Sequence, residues 1–274
     1  MTLDGLPPLR EAMAQAGLLA DKRLGQHFLL DLNICRKIAR LAALADGETV
    51  IEVGPGPGGL TRALLEAGAR VVAVEKDARF LPLLGDLADA ALGRLAVVHA
   101  DALTVDEVVL AGPGAAIVAN LPYNVGAPLL IKWLTGAFRP KAMTLMFQKE
   151  VAGRITAAPG GGDYGRLGVI AQALCTARTL MDLPARAFTP PPKVASTVVR
   201  LVPRPDRPAD EIIGALQTVT RAAFGQRRKM LRSSLRGLGG EALCALASID
   251  PDSRAETVPV AGFLALAEVW SAIR

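Results

Sequence analysis

Val50-Ile-Glu-Val-Gly-Pro-Gly-Pro-Gly-Gly-Leu-Thr61 is the stretch on which the reading of this chain turns. A short apolar run ends at Val53, glycines follow at 54, 56, 58 and 59, and Ala63, Leu64 and Leu65 then begin a helical pattern. This spells strand, tight turn, helix. Glycine has no Cβ to hold a ligand away and tolerates positive φ, and the unpaired N–H groups of the following helix point into the same space. The pattern Gly54-x-Gly56-x-x-Gly59 marks cofactor sites and ordinary βα turns alike, so its surroundings must decide between them.

Outward from the loop, β-type runs recur between helical segments. Residues 70–74 end on Glu75, 95–98 end near Asp101, 115–119 end on Asn120, and 143–147 follow. Such alternation predicts an α/β fold with a parallel, doubly wound, Rossmann-like sheet. Glu75, Asp101 and Asn120 each stand at the C-terminal end of a predicted strand, where open parallel sheets place their ligands. A single polar residue there is as easily a solvated loop side chain, but three in successive units beside a glycine loop point to a site. Glu75 follows Gly54 by about twenty residues, the spacing at which a carboxylate accepts hydrogen bonds from ribose hydroxyls. That fits NAD or S-adenosylmethionine. Pro55 and Pro57 remove two N–H donors that a pyrophosphate would need, which tilts the expectation toward S-adenosylmethionine.

Composition narrows the classes. At 274 residues the chain suits one large α/β domain with a small appendage, and a hydrophobic content of 51% argues against disorder. A net charge of +5 and a pI of 9.4 are compatible with a polyanionic partner or with a solvated basic surface. Cys35, Cys175 and Cys244 are odd in number and widely spaced in apolar, helical surroundings, so buried reduced thiols are expected rather than disulfides. His27 and His99 lack paired ligand spacing, and no metal is expected. The N-terminus has Asp4, Pro7 and Pro8 where a signal peptide needs a basic segment and an apolar run. No stretch of about twenty apolar residues follows, so a soluble, cytoplasmic protein without membrane contact is expected. Residues 9–19 have helical spacing, Lys22 and Arg23 form a basic pair, and Asp31 or Asn33 is positioned to cap the next helix.

Asn120-Leu-Pro-Tyr123 discriminates further. Pro122 biases Leu121 away from the α region, so an extended turn should present the Asn amide, a backbone carbonyl and the Tyr ring to one space. The tetrapeptide matches the (D/N/S)PPY-type motif of amino methyltransferases, with Leu121 in the first proline position. Together with Gly25-Gln-His-Phe-Leu29, Glu52-Val-Gly-Pro-Gly56, Gln148-Lys-Glu150, Tyr164-Gly-Arg166, Phe188-Thr-Pro-Pro-Pro-Lys-Val194 and Gln226-Arg-Arg-Lys229, it covers nearly the whole chain in order. The chain thus resembles the bacterial ribosomal RNA adenine dimethylase family, and its small-subunit branch in particular. The last two segments are especially specific.

The resemblance implies a class I S-adenosylmethionine methyltransferase sheet, mostly parallel and closed by an antiparallel edge pair, here residues 178–183 and 197–202, plus a small C-terminal helical domain. It implies S-adenosylmethionine as cofactor, held by His27, Leu29, Gly54, Glu75, Asp101 and Asn120, with Gln26 and Ala102 as weaker candidates. Catalysis falls to Asn120 and Leu121 as acceptors for the adenine amine, with Tyr123 stacked on the base and Phe188 on its opposite side. The family usually carries Asn where this chain has His27 and Asp where it has Ala195. The implied reaction is N6-dimethylation of two adjacent adenines near the 3′ end of small-subunit ribosomal RNA, by a monomer, within an assembling small ribosomal subunit.

The proline-rich segment 202–208 suggests a boundary between a methyltransferase domain, 1–203, and a helical RNA-binding domain, 204–274. On one continuous helix, Phe224, Leu231, Leu235 and Leu238 would share a stripe, with Arg221, Lys229, Arg232 and Arg236 on a flank about 80° wide. Such a row without an intervening carboxylate favours a nucleic-acid backbone over a merely solvated face, and Arg228 falls near the apolar stripe, which suggests partial burial. The segment 160–165 is expected to be a mobile surface loop. Three alternatives share parts of the pattern. An NAD-dependent oxidoreductase shares the loop and Glu75 but has no use for Asn120 to Tyr123. A large-subunit ribosomal RNA adenine methyltransferase of the macrolide-resistance type shares the motif. A non-catalytic RNA-binding assembly factor shares the basic segment.

Overall fold

A computed structural model describes residues 3–21 and 25–274, so the basic pair Lys22 and Arg23 lies outside the described residues. Among the described residues nine strands occur in chain order: β1 (Phe28–Leu29), β2 (Thr49–Val53), β3 (Arg70–Glu75), β4 (Leu95–His99), β5 (Ala116–Asn120), β6 (Met143–Gln148), β7 (Cys175–Leu183), β8 (Phe188–Thr189) and β9 (Ser196–Pro203). Seven of them form one sheet in the order β4-β3-β2-β5-β6-β9-β7. Strands β2 to β6 run parallel, with Val50 opposite Val71 on one side and Ala116 on the other. β9 is antiparallel to β6, from Met143↔Leu201 to Gln148↔Ser196. The central strands are short continuous apolar runs because helices cover both faces; Val50, Ile51, Ile117, Leu145 and Val199 are fully buried. This is the mostly parallel sheet expected, with the two strands of the expected closing pair, β9 and β7, beyond β6 at its edge.

Helices α1 (Leu9–Gln15), α2 (Leu32–Ala42), α3 (Gly59–Glu66), α4 (Leu81–Ala90), α5 (Glu107–Ala111) and α6 (Gly126–Thr135) connect the first strands. The side chain of Asp31 caps α2 by accepting from the Asn33 N–H at 2.8 Å, which decides between the two predicted caps. α1 stops four residues short of the predicted end, because Gly17 turns the chain at φ 62° and leaves Leu19 exposed. β1 and β8 make a separate two-stranded ribbon, pairing Phe28 with Thr189 and Leu29 with Phe188.

The chain divides into two compact units. The first takes in the chain to Trp133 with Ala137–Ala152 and Thr179–Leu201, and contains the glycine loop and the strand ends beside it. The second comprises Leu134–Gly136, Gly153–Arg178 and Val202–Arg274. A division at 203/204 puts residues 153–178 with the sheet, whereas the structure groups them with the C-terminal helices. Aromatic packing supplies the reason. The Tyr164 ring meets Phe224 edge-on at 6.1 Å, Phe224 meets Phe263 at 5.3 Å, and the buried Tyr164 hydroxyl donates to the Val258 carbonyl at 3.0 Å. After α7 (Lys149–Thr156), helices α8 (Arg166–Leu174), α9 (Asp210–Gly225) and α12 (Val260–Ala272) pack on one another within this unit, with α10 (Leu231–Ser234) and α11 (Gly240–Leu246) between the last two in the chain. Segment 160–165 is an exposed turn anchored by that tyrosine and by Gly160 N–H donating to the Glu256 carbonyl at 2.7 Å. All three cysteines are free and buried; Cys175 begins a strand rather than lying in a helix, and burial pushes it and Cys35 up to about 12.

Candidate active site

Strand order reverses at β2, whose chain continues to β3 on one side while β5 lies on the other. Loops leaving the C-terminal ends of β2 and β5 therefore diverge, and a crevice opens between them. It holds a cavity of about 150 Å³ whose walls include Phe28, Gly54, Gly56, Glu75, Asp101, Ala102 and Pro122. Gly54 has φ 67°, and a Cβ there would stand 3.3 Å from Pro122 Cδ, pinching the crevice between the two loops. Gly56 has φ 53°, and its Cβ would meet the Phe28 ring at 2.9 Å. The backbone geometry thus demands glycine at both positions and keeps the wall thin.

Glu75 ends β3 facing this cavity, 6% exposed. Burial pushes its carboxyl up, while the N–H groups of Asp77 at 2.8 Å and Gly56 at 3.0 Å favour the ionised form and fix both oxygens. Of the N–H groups that the two prolines spare in the loop, Gly56 N–H is thus spent on aligning the carboxylate, while Gly54 N–H donates to the Val74 carbonyl at 2.9 Å and Gly58 N–H to the Pro55 carbonyl at 3.0 Å. Asp101 stands across the cavity, its Oδ1 accepting from Leu103 N–H at 2.9 Å and its Oδ2 from Lys76 Nζ at 2.7 Å. The Lys76 ammonium and the Leu103 N–H hold this carboxyl below the usual carboxylate range. Beneath the loop, Glu52 of β2 is buried, and burial pushes its carboxyl up to about 8, partly opposed by the Thr61 hydroxyl beside it and reinforced by Glu75. Neither Glu52 Oε2 nor Thr61 Oγ1 has a partner in hydrogen-bonding geometry.

A smaller recess, lined by His27, Asn120, Leu121 and Tyr123, shares Gln26, Phe28, Gly54 and Pro122 with the first, so one cleft runs from Glu75 to Asn120. Asn120 is the last residue of β5, and its Nδ2 donates to the His27 carbonyl at 3.2 Å. A carbonyl only accepts, so the amide nitrogen must face it and Oδ1 points elsewhere. The Tyr123 hydroxyl shares a 2.6 Å hydrogen bond with the buried Ser196 hydroxyl, and its ring stacks on His27 with centroids 5.2 Å apart. Leu121 is buried, and Leu29 lies in the core with its carbonyl oxygen against Gly59.

A ribosomal RNA adenine dimethylase family model matches residues 17–271. The chain belongs to the ribosomal RNA adenine dimethylase family. It is 69% identical over its whole length to the ribosomal RNA small subunit methyltransferase A of Phenylobacterium zucineum, covering 96% of that protein. With the namesake of Caulobacter vibrioides it shares 68% identity over 91% of this chain and 96% of the relative. Among solved structures, a dimethyladenosine transferase from Plasmodium falciparum aligns with TM-score 0.73 and 25% identity over 88% of this chain and 96% of that one. The 23S ribosomal RNA methyltransferase ErmE aligns with TM-score 0.67 and 27% identity, over 88% of this chain and 98% of its own.

Within this family frame, the structure brings His27, Gly54, Glu75, Asp101, Asn120, Leu121 and Tyr123 to one cleft. Phe188 is placed otherwise. It is 3% exposed, packs in the core with Leu29, Leu183 and Val198, and does not share a stack with Tyr123; an apolar ring with core space beside it is buried rather than left at a polar cleft. The ring that meets Tyr123 among the described residues is His27. Several contributors escape sequence reasoning. Lys76 follows Glu75 and carries no spacing signal, and Phe28, although inside the Gly25 to Leu29 segment, has no role assigned by it. Ser196 lies 73 residues from the tyrosine it holds.

The basic residues of the second unit also differ from the single helix expected. α9 ends at Gly225, a turn closed by Lys229 N–H donating to the Gln226 carbonyl at 2.8 Å follows, and α10 (Leu231–Ser234) starts a new short helix. Leu231 and Leu235 are buried as the stripe predicts. Arg228 is exposed rather than partly buried, because the helix on which it would face inward has ended. Arg232 pairs with Asp252 at 2.8 Å, a carboxylate supplied from 20 residues farther along the chain. Arg221, Arg228, Lys229 and Arg236 are exposed.

Proposed function

We propose that this chain dimethylates N6 of two adjacent adenines near the 3′ end of small-subunit ribosomal RNA, acting as a cytoplasmic monomer on the assembling small subunit. Family membership makes it an S-adenosylmethionine-dependent methyltransferase of ribosomal RNA adenines. The small-subunit assignment is supported by the nearly full-length relatives of that name. No helix among the described residues is long and apolar enough to cross a membrane.

One observation carries the chemistry: the Asn120 amide, oriented by the His27 carbonyl, stands at one end of a cleft whose other end presents the aligned Glu75 carboxylate. The cleft fits S-adenosylmethionine. Glu75 offers a fixed acceptor for two ribose hydroxyls, Asp101 an ionised acceptor for an adenine amine, and Phe28, Val53 and Val74 apolar walls. Gly54 keeps open the passage toward Asn120. When bound, this cofactor supplies a methyl group on a sulfonium, ready for attack by a nitrogen lone pair. The residues of the chain then orient the nucleophile. Adenine N6 is weakly nucleophilic because its lone pair is delocalised into the ring. Asn120 Oδ1 and the Leu121 carbonyl accept its two N–H bonds, which favours a tetrahedral nitrogen with its lone pair directed at the methyl group. Tyr123 stacks on the flipped base and offsets the few kcal/mol that unstacking costs. A strong base is unnecessary, since the methylated N6 readily loses its proton to water. Leu29 and the buried Phe188 contribute by holding β1 against β8 beside His27.

Mass mapping of methyl groups on ribosomal RNA from cells with and without this protein tests the assignment. Loss of two neighbouring dimethyladenines from small-subunit RNA is expected. Loss from large-subunit RNA instead would favour the chemistry of the ErmE neighbour and overturn the small-subunit reading.

A further inference from the structure

We propose that His27 and Ser196 are positioning residues that clamp Tyr123 as a fixed platform for the target adenine, which reassigns the His27 ring from the cofactor side of the cleft to the base side. The inference rests on the methyl-transfer reading above and deepens it. A tyrosine at the rim of a cleft ordinarily samples several orientations, and a base stacking on it must order the ring as well as itself. Here the ring is held at two points. Its hydroxyl meets Ser196 at 2.6 Å, and Ser196 is fully buried and locked into the sheet opposite Gln148. Its face lies on the His27 imidazole at an interplanar angle of 28°.

The imidazole is held in turn. His27 Nδ1 lies 2.8 Å from the Pro190 carbonyl, and since a carbonyl only accepts, Nδ1 carries the proton and the ring plane is fixed. The His27 main chain performs a second task by accepting the Asn120 amide at 3.2 Å. One residue thus aligns both the surface on which the base stacks and the amide that grips its amine. An asparagine in place of His27 would retain the carbonyl contact but has no ring to lay against Tyr123.

The test uses the full-length protein and a small-subunit RNA substrate with 2-aminopurine at one target adenine, whose fluorescence reports unstacking. Tyr123→Phe and Ser196→Ala should each lower kcat about ten-fold, and the double variant no further, because both remove the same hydrogen bond. S-adenosylmethionine Kd, by calorimetry, should stay within two-fold. Losses that multiply in the double variant would overturn the clamp. His27→Asn should lose most of the 2-aminopurine signal and about ten-fold in kcat, whereas His27→Phe, which keeps a ring, should lose less. Equal increases in S-adenosylmethionine Kd in both His27 variants, with kcat and fluorescence intact, would return the imidazole to the cofactor and overturn the proposal. Wild-type protein that left small-subunit RNA unmethylated would sink the functional reading instead. The clamp would still be judged by melting temperatures, where the Tyr123→Phe/Ser196→Ala double variant must match the single ones.

Discussion

The two ends of the cleft are built in different ways. At the Glu75 end, each group comes from a strand terminus or the turn after it. The Glu75 oxygens are fixed by N–H groups 2 and 19 residues away, and Asp101 by Leu103 and the nearby Lys76. At the Asn120 end the contacts cross the chain: His27 to Asn120 spans 93 residues, Tyr123 to Ser196 spans 73, and His27 to Pro190 spans 163. The first end follows from a parallel sheet with loops of the right composition. The second exists only after β1, β5, β8 and β9 have found one another. Cofactor binding should thus tolerate changes at the Asn120 end, and turnover should not.

Asn120→Ala tests that separation most severely. Methyl transfer should fall by about 10³-fold or more, while S-adenosylmethionine binding stays within a few-fold, measured by a tritiated-methyl assay and calorimetry. Near-normal turnover would dissolve the distinction between the ends. Glu75→Ala should do the reverse and weaken S-adenosylmethionine binding by about 10²-fold, since hydrogen bonds to a buried charged acceptor are lost and two N–H groups are left unsatisfied. An unchanged Kd would remove the ribose from this end.

Glu52 probes the foundation of the loop. Its carboxyl is raised from 4.5 to about 8 in the fold, so between those pH values the folded chain keeps a proton that the unfolded chain has released. The resulting stabilisation is greatest at the acidic side of that window and is lost as pH rises through the folded value. Urea denaturation should show this group contributing roughly 2 kcal/mol less at about pH 8.5 than at about pH 6, a difference that Glu52→Gln abolishes. A pH-independent gap between wild type and variant would mean the carboxyl is not neutral in the fold. The smallest effect concerns neither end of the cleft. Replacing Arg228, Lys229 and Arg236 together should lower the slope of log RNA affinity against log salt by about two, with Arg232→Ala alone contributing less because Asp252 already neutralises it. Equal slopes would make these residues ordinary surface.

Much of this is legible in the sequence. The strand starts at Thr49, Arg70 and Met143 follow directly from it, because fully covered parallel strands are continuous apolar runs with abrupt ends. Glu75, Asp101 and Asn120 were legible for the same reason: they are the polar residues at which such runs stop. The basic helix is not legible as one piece, because a 3.6-residue period runs unbroken across Gln226, where the chain leaves the helix in a turn. The placing of Phe188 is not legible, because proline rigidity fixes a backbone without saying whether its side chain meets core or cleft; here it meets the core.

The sequence by itself determined the sheet, the glycine turn, the acidic and amide groups at the strand ends and, through its motifs, the family. These are local in origin: periodicity, turn chemistry and spacing act over a few residues. Only the tertiary structure decided that Ser196 holds Tyr123, that the His27 ring lies beneath it while its carbonyl turns Asn120, that Asp252 takes Arg232, and that Tyr164 joins the C-terminal helices. Each is a pairing between groups far apart in the chain, and no local pattern carries that information. It is created when burial brings polar atoms together and each must find a partner.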